Sequence, residues 1–593
     1  MNRIFRLFVI ISLAGILIII MTFPLAFNFN KYIPGFFSTD ESYAVLWNAW
    51  LMKYSIFHNV SIKKTDFIAY PFGVDFYTNK PIGYIWFGIN YVLARFTTPV
   101  LTYNAQVFLN LFLTFFISFF LMRYLTENIF CGFFSGLSLA FCPYLFVRYW
   151  QHLGDTYFWT VPFVLLMLFI IKDNPRGVLH KILFIFGFIF ATSLGFNFLY
   201  IGIALMAFFI YFFLTQLKDK AIFLKENKIF FKNAIILCLI GFILLLPQTY
   251  PVVKGVINSR HSVPSAQNPY LRPFEDLFAQ SAKPLSYFLP AIVHPLFGKF
   301  TERFIGTQLY GESVTEHTLY LGWTPLILAF FAFRRWRKRK IGTVPCGDSP
   351  YLGFFVLLAI VAWFFSQAPW WKIGPLKIYM PSFFMYRLVP MFRAYCRFGI
   401  VLMLAVAVLA GFGLKFILEK FKSQKTKIAL TCLFSGLVLF EFWNWPPYKV
   451  IDVSKVPAVY YWLKSQPGDF VIAEYPLDAE SPSEMYKFYQ TVHERKMING
   501  TIPGTYANKV AQTIRKLSEP NTATILKGMN VKYVLVHKDD YLKTELKEEI
   551  EEVKLIPHNP GLRLVKSFPA QNCPKKDIMC VAKTGPIDVY EVF

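Results

Sequence analysis

The sequence predicts a polytopic α-helical membrane protein that carries a small C-terminal α/β domain, and three observations predict it. First, 55% of the 593 positions are hydrophobic and only 16% are charged, against about half and about a quarter in a typical soluble chain. One globular core cannot hide so much apolar surface, so lipid must solvate much of it. Second, apolar runs long enough to cross a bilayer recur near 4–26, 103–122, 130–147, 156–172, 180–196, 199–216, 231–249, 317–333, 351–367, 397–416 and 426–444. These give about eleven transmembrane helices. Third, from 448 onward the apolar runs shorten to strand length and alternate with charged, helix-prone stretches, as in an α/β domain.

The elements follow in order. Arg3 and Arg6 precede an apolar run too long for a signal peptide, and no small-x-small cleavage site follows, so the run reads as a retained first span. Basic residues then fix the threading. Arg123, Lys172, Arg176 and Lys181 mark short turns, as do the lysines between 218 and 232. Arg334, Arg335, Arg337, Lys338, Arg339 and Lys340 form the strongest block, and Lys415, Lys420, Lys422, Lys425 and Lys427 the last. Placing every block inside predicts a cytoplasmic N-terminus and an outer C-terminal domain in the plasma (cytoplasmic) membrane. The formal charge of +25 lies in these short blocks, which points to topology and anionic lipid, with no nucleic acid as partner.

This threading gives a transmembrane domain over 1–446, with outer loops at 28–102 and 250–316, and an extracytoplasmic domain over 447–593. The first loop holds two amphipathic stretches, 41–57 and 81–96. The second is read as lying on the membrane surface, with a core-packed or re-entrant helix as the alternative. Beyond 447 the pattern predicts a helix at 456–466, a turn at 467–469, strands at 470–475 and 531–537, a helix at 542–554 and a last strand at 587–593. Cys131, Cys142, Cys238 and Cys432 fall in apolar segments, where a buried small hydrophobe is expected. Cys573 and Cys580 are close enough in sequence for a local disulfide, which spacing alone does not establish.

No Walker A loop, GxGxxG, HExxH, paired CxxC or GxSxG elbow is present. Chemistry is therefore sought among acidic groups at the outer rim. Asp40 and Glu41 follow the first span, and His152 and Asp155 lie between the third and fourth. Two carboxylates at one membrane surface suit a general base or a divalent cation, Mg or Mn, on Asp40 and Asp155. The alternative is that Asp40 and Glu41 cap a surface helix beside Ser38 and Thr39. Asp66 and Asp75 flank a turn at Pro71 and Gly73 and read as structural. Arg148, Arg393 and Arg397 either hold a lipid phosphate or anchor in headgroups. Glu312 and Glu316 also face outward, His294 is too isolated for a metal ligand, and Asn59 and Asn499 match the glycosylation sequon.

An acidic residue after the first span, two surface helices in the first outer loop and a second acidic residue in the next loop resemble the GT-C superfamily of polytopic glycosyltransferases. More closely, six stretches are similar to a group of prokaryotic GT-C-like membrane proteins. They are LWNAW (46–50), YPFGVDF (70–76), FCPYLFVRYWQHLGD (141–155), TLYLGWTPL (318–326), YQTVHERKMING (489–500) and LKGMNVKYVLVH (526–537). The resemblance implies transfer of a sugar from a polyprenyl-phosphate carrier in the membrane to a glycan, lipid or protein acceptor on the outer face. It makes Asp40 the base for the acceptor hydroxyl and Asp155, with Glu41 or His152, the group that orients the acceptor or binds a cation. One of Arg148, Arg393 and Arg397 stabilises the leaving phosphate. The resemblance also leads one to expect a carboxylate near the sixth span, where 192–198 reads TSLGFNF. That departure keeps an inactive accessory protein as an alternative. A transporter or flippase, the other alternative, predicts ionisable residues within the spans, and here charge gathers at the rim.

Overall fold

A computed structural model of the chain describes residues 3–36, 40–76, 84–192, 197–215, 220–259, 270–338, 351–443, 448–477, 482–542, 547–575 and 577–593. Ser38, Thr39, Lys218, Arg339, Lys340, the first residues of the 81–96 stretch and positions 193–196 of TSLGFNF lie outside the described residues. The chain forms two compact units, Met1–Phe23 with Val107–Tyr149 and Leu153–Pro447, and Pro24–Gln106 with Trp150–His152 and Tyr448–Phe593.

The first unit is helical. Each apolar run named above overlaps a helix. Among the described residues six helices are long and apolar enough to cross a membrane: Pro99–Thr126, Ile129–Arg148, Leu153–Asp173, Asn197–Leu214, Lys228–Ser259 and Tyr395–Leu418. Leu7–Met21, Val178–Thr192 and Leu352–Phe365 are shorter apolar helices. The chain is thus an integral membrane protein. Its centre is the Gly399–Leu418 helix, buried along nearly its whole length and packed against Trp323–Arg337, Leu352–Phe365 and Ile129–Ala140. Gly413 makes the tightest of these contacts possible, because a Cβ there would sit 2.0 Å from the Leu328 carbonyl oxygen. Small residues let helix backbones approach where lipid removes the usual hydrophobic drive.

Local chemistry sets the helix ends. Asn128 caps Ile129–Ala140, its Oδ1 accepting from Phe130 N at 2.9 Å and Cys131 N at 3.3 Å. Pro143 opens the separate Pro143–Arg148 turn from the first helical position. Two ends differ from the apolar pattern. The 231–249 run belongs to a longer helix, Lys220–Ser259, which continues through Pro247 and Pro251; neighbouring helices re-satisfy backbone groups freed by such prolines. The 317–333 run becomes helical only at Trp323, after Gly322 at φ +82°. There Glu441 caps the helix from another element, accepting from Thr324 N and from Thr324 Oγ1 at 2.6 Å.

The second unit is an α/β fold around a five-stranded sheet. Its strand order is Leu562–Phe568, Ile587–Val592, Val531–His537, Val471–Tyr475 and Lys496–Met497. The last three run parallel, and the first two join antiparallel. The strands expected at 470–475, 531–537 and 587–593 and the helix expected at 456–466 (Ala458–Ser465) are present. A smaller sheet pairs Tyr32–Pro34 with Val450–Asp452 and Met579–Cys580. The segment after the first helix is therefore woven into the C-terminal fold. Within the unit, Trp47 Nε1 donates to Gln490 Oε1 at 2.7 Å, and Gln490 Nε2 donates to the Phe67 carbonyl at 2.6 Å. Tyr70 N donates to the Met497 carbonyl, and Ala69 N to that of Asn499. LWNAW and YPFGVDF thus share one packed region with YQTVHERKMING, which lies more than four hundred residues further along the chain. Cys573 and Cys580 form a disulfide.

Candidate active site

In the first unit four charged side chains from four chain segments meet. Arg148 ends the Pro143–Arg148 turn, Asp155 lies in the Leu153–Trp159 3-10 turn, Glu316 in Val314–His317 and Arg397 in Tyr395–Phe398. All four are at the ends of helices, where a polar side chain escapes the apolar middle of a span. Arg148 clamps Glu316 bidentately, Nη1 to Oε1 at 3.0 Å and Nη2 to Oε2 at 2.5 Å. Arg397 takes the same carboxylate through Nε, at 3.2 and 3.0 Å, and Nη2, at 2.5 Å. Its Nη1 donates to Asp155 Oδ2 at 2.8 Å.

Exposure decides how strong these contacts are. The side chains retain 0% (Arg148), 6% (Glu316), 12% (Arg397) and 5% (Asp155) of their accessible surface. Isolated charges this deep would cost several kcal/mol each; two guanidinium groups against two carboxylates cancel, and each hydrogen bond is charge-assisted. The Tyr144 ring lies 4.8 Å from the Arg148 guanidinium carbon, a cation–π contact. The arrangement holds the Arg397 guanidinium rigidly between two acids. A fixed cation of this kind stabilises negative charge that develops beside it without the cost of reorganisation.

The sequence named Arg148, Asp155 and Arg397 separately, and the structure brings them together. Glu316, noted only as facing outward, is the hub; its partners are 168 and 81 residues away, and no local pattern reveals such a pairing. Arg393 is not in the cluster and donates instead to Asp276 at 2.9 Å. Inside its unit Asp155 has a guanidinium at hydrogen-bond distance, not a second carboxylate or an imidazole. Among the described residues no group of three or more His, Cys, Asp and Glu side chains is arranged to hold a metal ion.

Asp40, Glu41 and His152 belong to the second unit. Asp40 begins the Asp40–His58 helix and is half-buried, a position where the helix dipole favours its charge. Glu41 Oε2 lies 2.6 Å from His152 Nδ1, with 57% and 12% of the side chains exposed. Ser42 Oγ donates to the Trp150 carbonyl at 2.9 Å and lies 2.9 Å from Tyr103 Oη, which pins the helix start.

The remaining candidates are structural. Asp66 accepts from Lys496 at 2.5 Å, and Asp75 lies in the short Val74–Asp75 strand beside Lys64. His294 Nδ1 accepts from Leu296 N and Phe297 N, and its Nε2 lies 2.9 Å from the Phe440 carbonyl, so both ring nitrogens are used. Asn499 is fully buried; its Nδ2 donates to the Glu474 carbonyl and its Oδ1 accepts from Glu474 N. A glycan cannot be attached there in the folded chain.

A second buried polar group lies at the ends of the two long parallel strands. Glu474 Oε2 accepts from Tyr460 Oη at 2.6 Å and lies 2.8 Å from His537 Nε2. Tyr486 stacks on His537 at 4.5 Å and donates to Asp540 at 3.1 Å. Burial pushes the Glu474 carboxyl up, opposed by its hydrogen bond with His537. Nearby, burial pulls the His493 imidazole down to about 3, with help from Arg495 and Lys464.

No family model matches the chain, and no curated protein sequence matches it. Solved structures do. The chain superposes over 100% of its length on arabinofuranosyltransferase AftD from Mycobacteria, at TM-score 0.54 and 14% identity, and spans 40% of that protein. It matches the oligosaccharyltransferase AglB from Archaeoglobus fulgidus, solved with an inhibitory peptide and a dolichol-phosphate, over 90% of its length and 70% of AglB. The TM-score is 0.50 and the identity 11%. ArnT from Cupriavidus metallidurans, bound to undecaprenyl phosphate, is covered over 98% of its length by 100% of this chain, at TM-score 0.50 and 10% identity. At such identities the likeness is one of fold: the chain has a GT-C-like fold.

Proposed function

We propose that the chain is a glycosyltransferase that moves a sugar from a polyprenyl-phosphate carrier to a hydroxyl-bearing acceptor on the non-cytoplasmic face. The observation that carries this reading is the buried Arg148–Glu316–Arg397–Asp155 cluster at the helix ends of a GT-C-like fold. The acceptor oxygen attacks the anomeric carbon, and the carboxylate of Asp40 takes the hydroxyl proton. The bond from the anomeric carbon to the phosphate oxygen breaks, and that oxygen keeps the electron pair. Arg397, held by Glu316, stabilises the charge gained by the phosphate, and Asp155 orients the acceptor. The products are the glycosylated acceptor and the polyprenyl phosphate. In this proposal the N-terminus is cytoplasmic, and Asp40, Asp155 and the second unit are outside.

Envelope glycans from cells that carry the wild type, Asp40→Asn or Asp155→Asn at matched expression test the reading. Loss of a general base lowers transfer by about 10²–10⁴-fold, so product is expected to vanish with Asp40→Asn and to fall sharply with Asp155→Asn. Wild-type glycan from both variants would leave an accessory or transport role in its place.

A further inference from the structure

Between the Leu352–Phe365 helix and the Tyr395–Phe398 turn the chain forms a hairpin, Trp370–Ile373 with Leu376–Tyr379, and then the Pro381–Leu388 helix. Gly374, at φ +57°, opens the tight turn. The register pairs Trp370 with Tyr379, Trp371 with Ile378, Lys372 with Lys377 and Ile373 with Leu376. Directly paired residues share a face and neighbours alternate, so the hairpin has two unlike sides. One carries Trp371, Ile373, Leu376 and Ile378. The other carries Trp370 and Tyr379 with both lysines.

Trp371 packs edge-on against Trp363 at 5.4 Å, and the turn end of the apolar side is left open. Ile373 is 61% exposed and Leu376 60%, and Phe384 and Leu388 of the following helix are 56% and 81% exposed. The cations have an equally unusual setting. Lys372 and Lys377 face each other across the strands, a like-charge pairing that disfavours a hairpin; Lys377 Nζ lies 4.9 Å from the Trp370 ring, and an anion between the two would relieve the repulsion. Arg387 is also exposed, and no Asp or Glu occurs anywhere from 351 to 418. Glu275 and Asp276 of a neighbouring segment lie near Tyr386, and Asp276 is taken by Arg393. Consecutive spans turn back on each other, so this cluster, with no acid of its own, sits at the membrane edge opposite to Arg334, Arg335 and Arg337. Basic residues normally collect on one edge only. A second cluster on the other edge needs an anionic partner of its own. The hairpin begins five residues after Phe365 and its strands span about 13 Å, which keeps it within the headgroup zone.

We propose that the hairpin and the Pro381–Leu388 helix form a docking surface for anionic phospholipids of that leaflet. Trp371, Ile373, Leu376 and Leu388 enter the acyl boundary, and Lys372, Lys377 and Arg387 bind headgroup phosphates. The inference does not depend on glycosyl transfer.

Native mass spectrometry of the full-length protein, released from bilayers of equal phosphatidylglycerol and phosphatidylcholine, tests it. The wild type retains an excess of phosphatidylglycerol. The Lys372→Gln/Lys377→Gln/Arg387→Gln variant loses that excess, by about fivefold in affinity per cation removed. Lys509→Gln/Lys527→Gln/Lys566→Gln, which removes the same charge from exposed positions of the second unit, keeps it. In phosphatidylglycerol vesicles, lipids brominated near the headgroup quench tryptophan fluorescence less in Trp371→Phe than in the wild type. Equal retention by the wild type and the hairpin variant would overturn the proposal, as would an equal loss in the control or quenching indifferent to Trp371. Stoichiometric displacement of phosphatidylglycerol by added undecaprenyl phosphate would also overturn it, by making the surface a prenyl-phosphate site.

Discussion

The Arg148–Glu316–Arg397–Asp155 cluster of the first unit and the Tyr460–Glu474–His537 cluster of the second are both almost wholly removed from water. Only the first contains a full complement of opposite charge. There, two carboxylates meet two guanidinium groups. In the second, burial of Glu474 favours the neutral carboxyl, its partners are a phenol and an imidazole, and the adjacent His493 is also held neutral. The same desolvation therefore has two outcomes. Where guanidinium groups are supplied the buried carboxylates are compensated, and where they are not, burial drives the Glu474 carboxyl toward its neutral form. A rigid cluster rich in guanidinium groups suits a site that must meet a phosphate; one without them suits the interior of a folding unit.

The largest expected effect is on the charged side. Glu316→Leu leaves Arg148 without a carboxylate at 0% exposure, and about 3–5 kcal/mol of stability is lost in detergent unfolding. Arg148→Met combined with Glu316→Leu loses less than Glu316→Leu alone, because no unpaired charge is then buried. Equal losses would mean that the cluster is not the charge-balanced unit described.

The next effect separates the two regions by pH. His493 is held at about 3 when folded, against an ordinary 6.5, so the unfolded chain takes up the proton first. Its contribution is complete above pH 6.5 and is lost as the pH falls toward 3. Acidification to pH 4.5 costs about 2–3 kcal/mol from this group, and His493→Gln removes that part of the acid sensitivity. Asn499→Ala breaks both side-chain bonds to the Glu474 backbone and costs about 1–3 kcal/mol in unfolding of the second unit. The smallest effect has the opposite pH sign. Glu474 is raised when folded, so its contribution is present below the ordinary carboxyl value and is lost as the pH rises through the raised one. Glu474→Gln is expected to gain on the wild type as the pH rises; a stability difference independent of pH would make Glu474 a charged residue after all.

Much of the fold was legible because lipid and sheet each impose a strong pattern. The apolar runs mark the helices, and VKYVLVH marks the central strand Val531–His537. The hairpin at Trp370–Tyr379 was not foreseen, since its alternation is only four residues long in each strand and is flanked by apolar spans. Residues of the candidate site were legible by type and by position at span ends, which singled out Arg148, Asp155 and Arg397. Their connection was not. Glu316 joins them across separations that only packing determines, and Arg393, alike in sequence setting, pairs with Asp276 instead.

The weaving of the first segment into the last bears on how the protein is made. Trp47 finds Gln490 only after 443 further residues have been synthesised, roughly 20–90 s at ordinary ribosomal rates. During that interval the Tyr32–Pro34 strand and the Asp40–His58 helix emerge without their eventual neighbours, with an open strand edge and two tryptophans, Trp47 and Trp50, to shield. Such a chain has reason to depend on a holding chaperone or on the bilayer surface itself until its final hundred residues arrive.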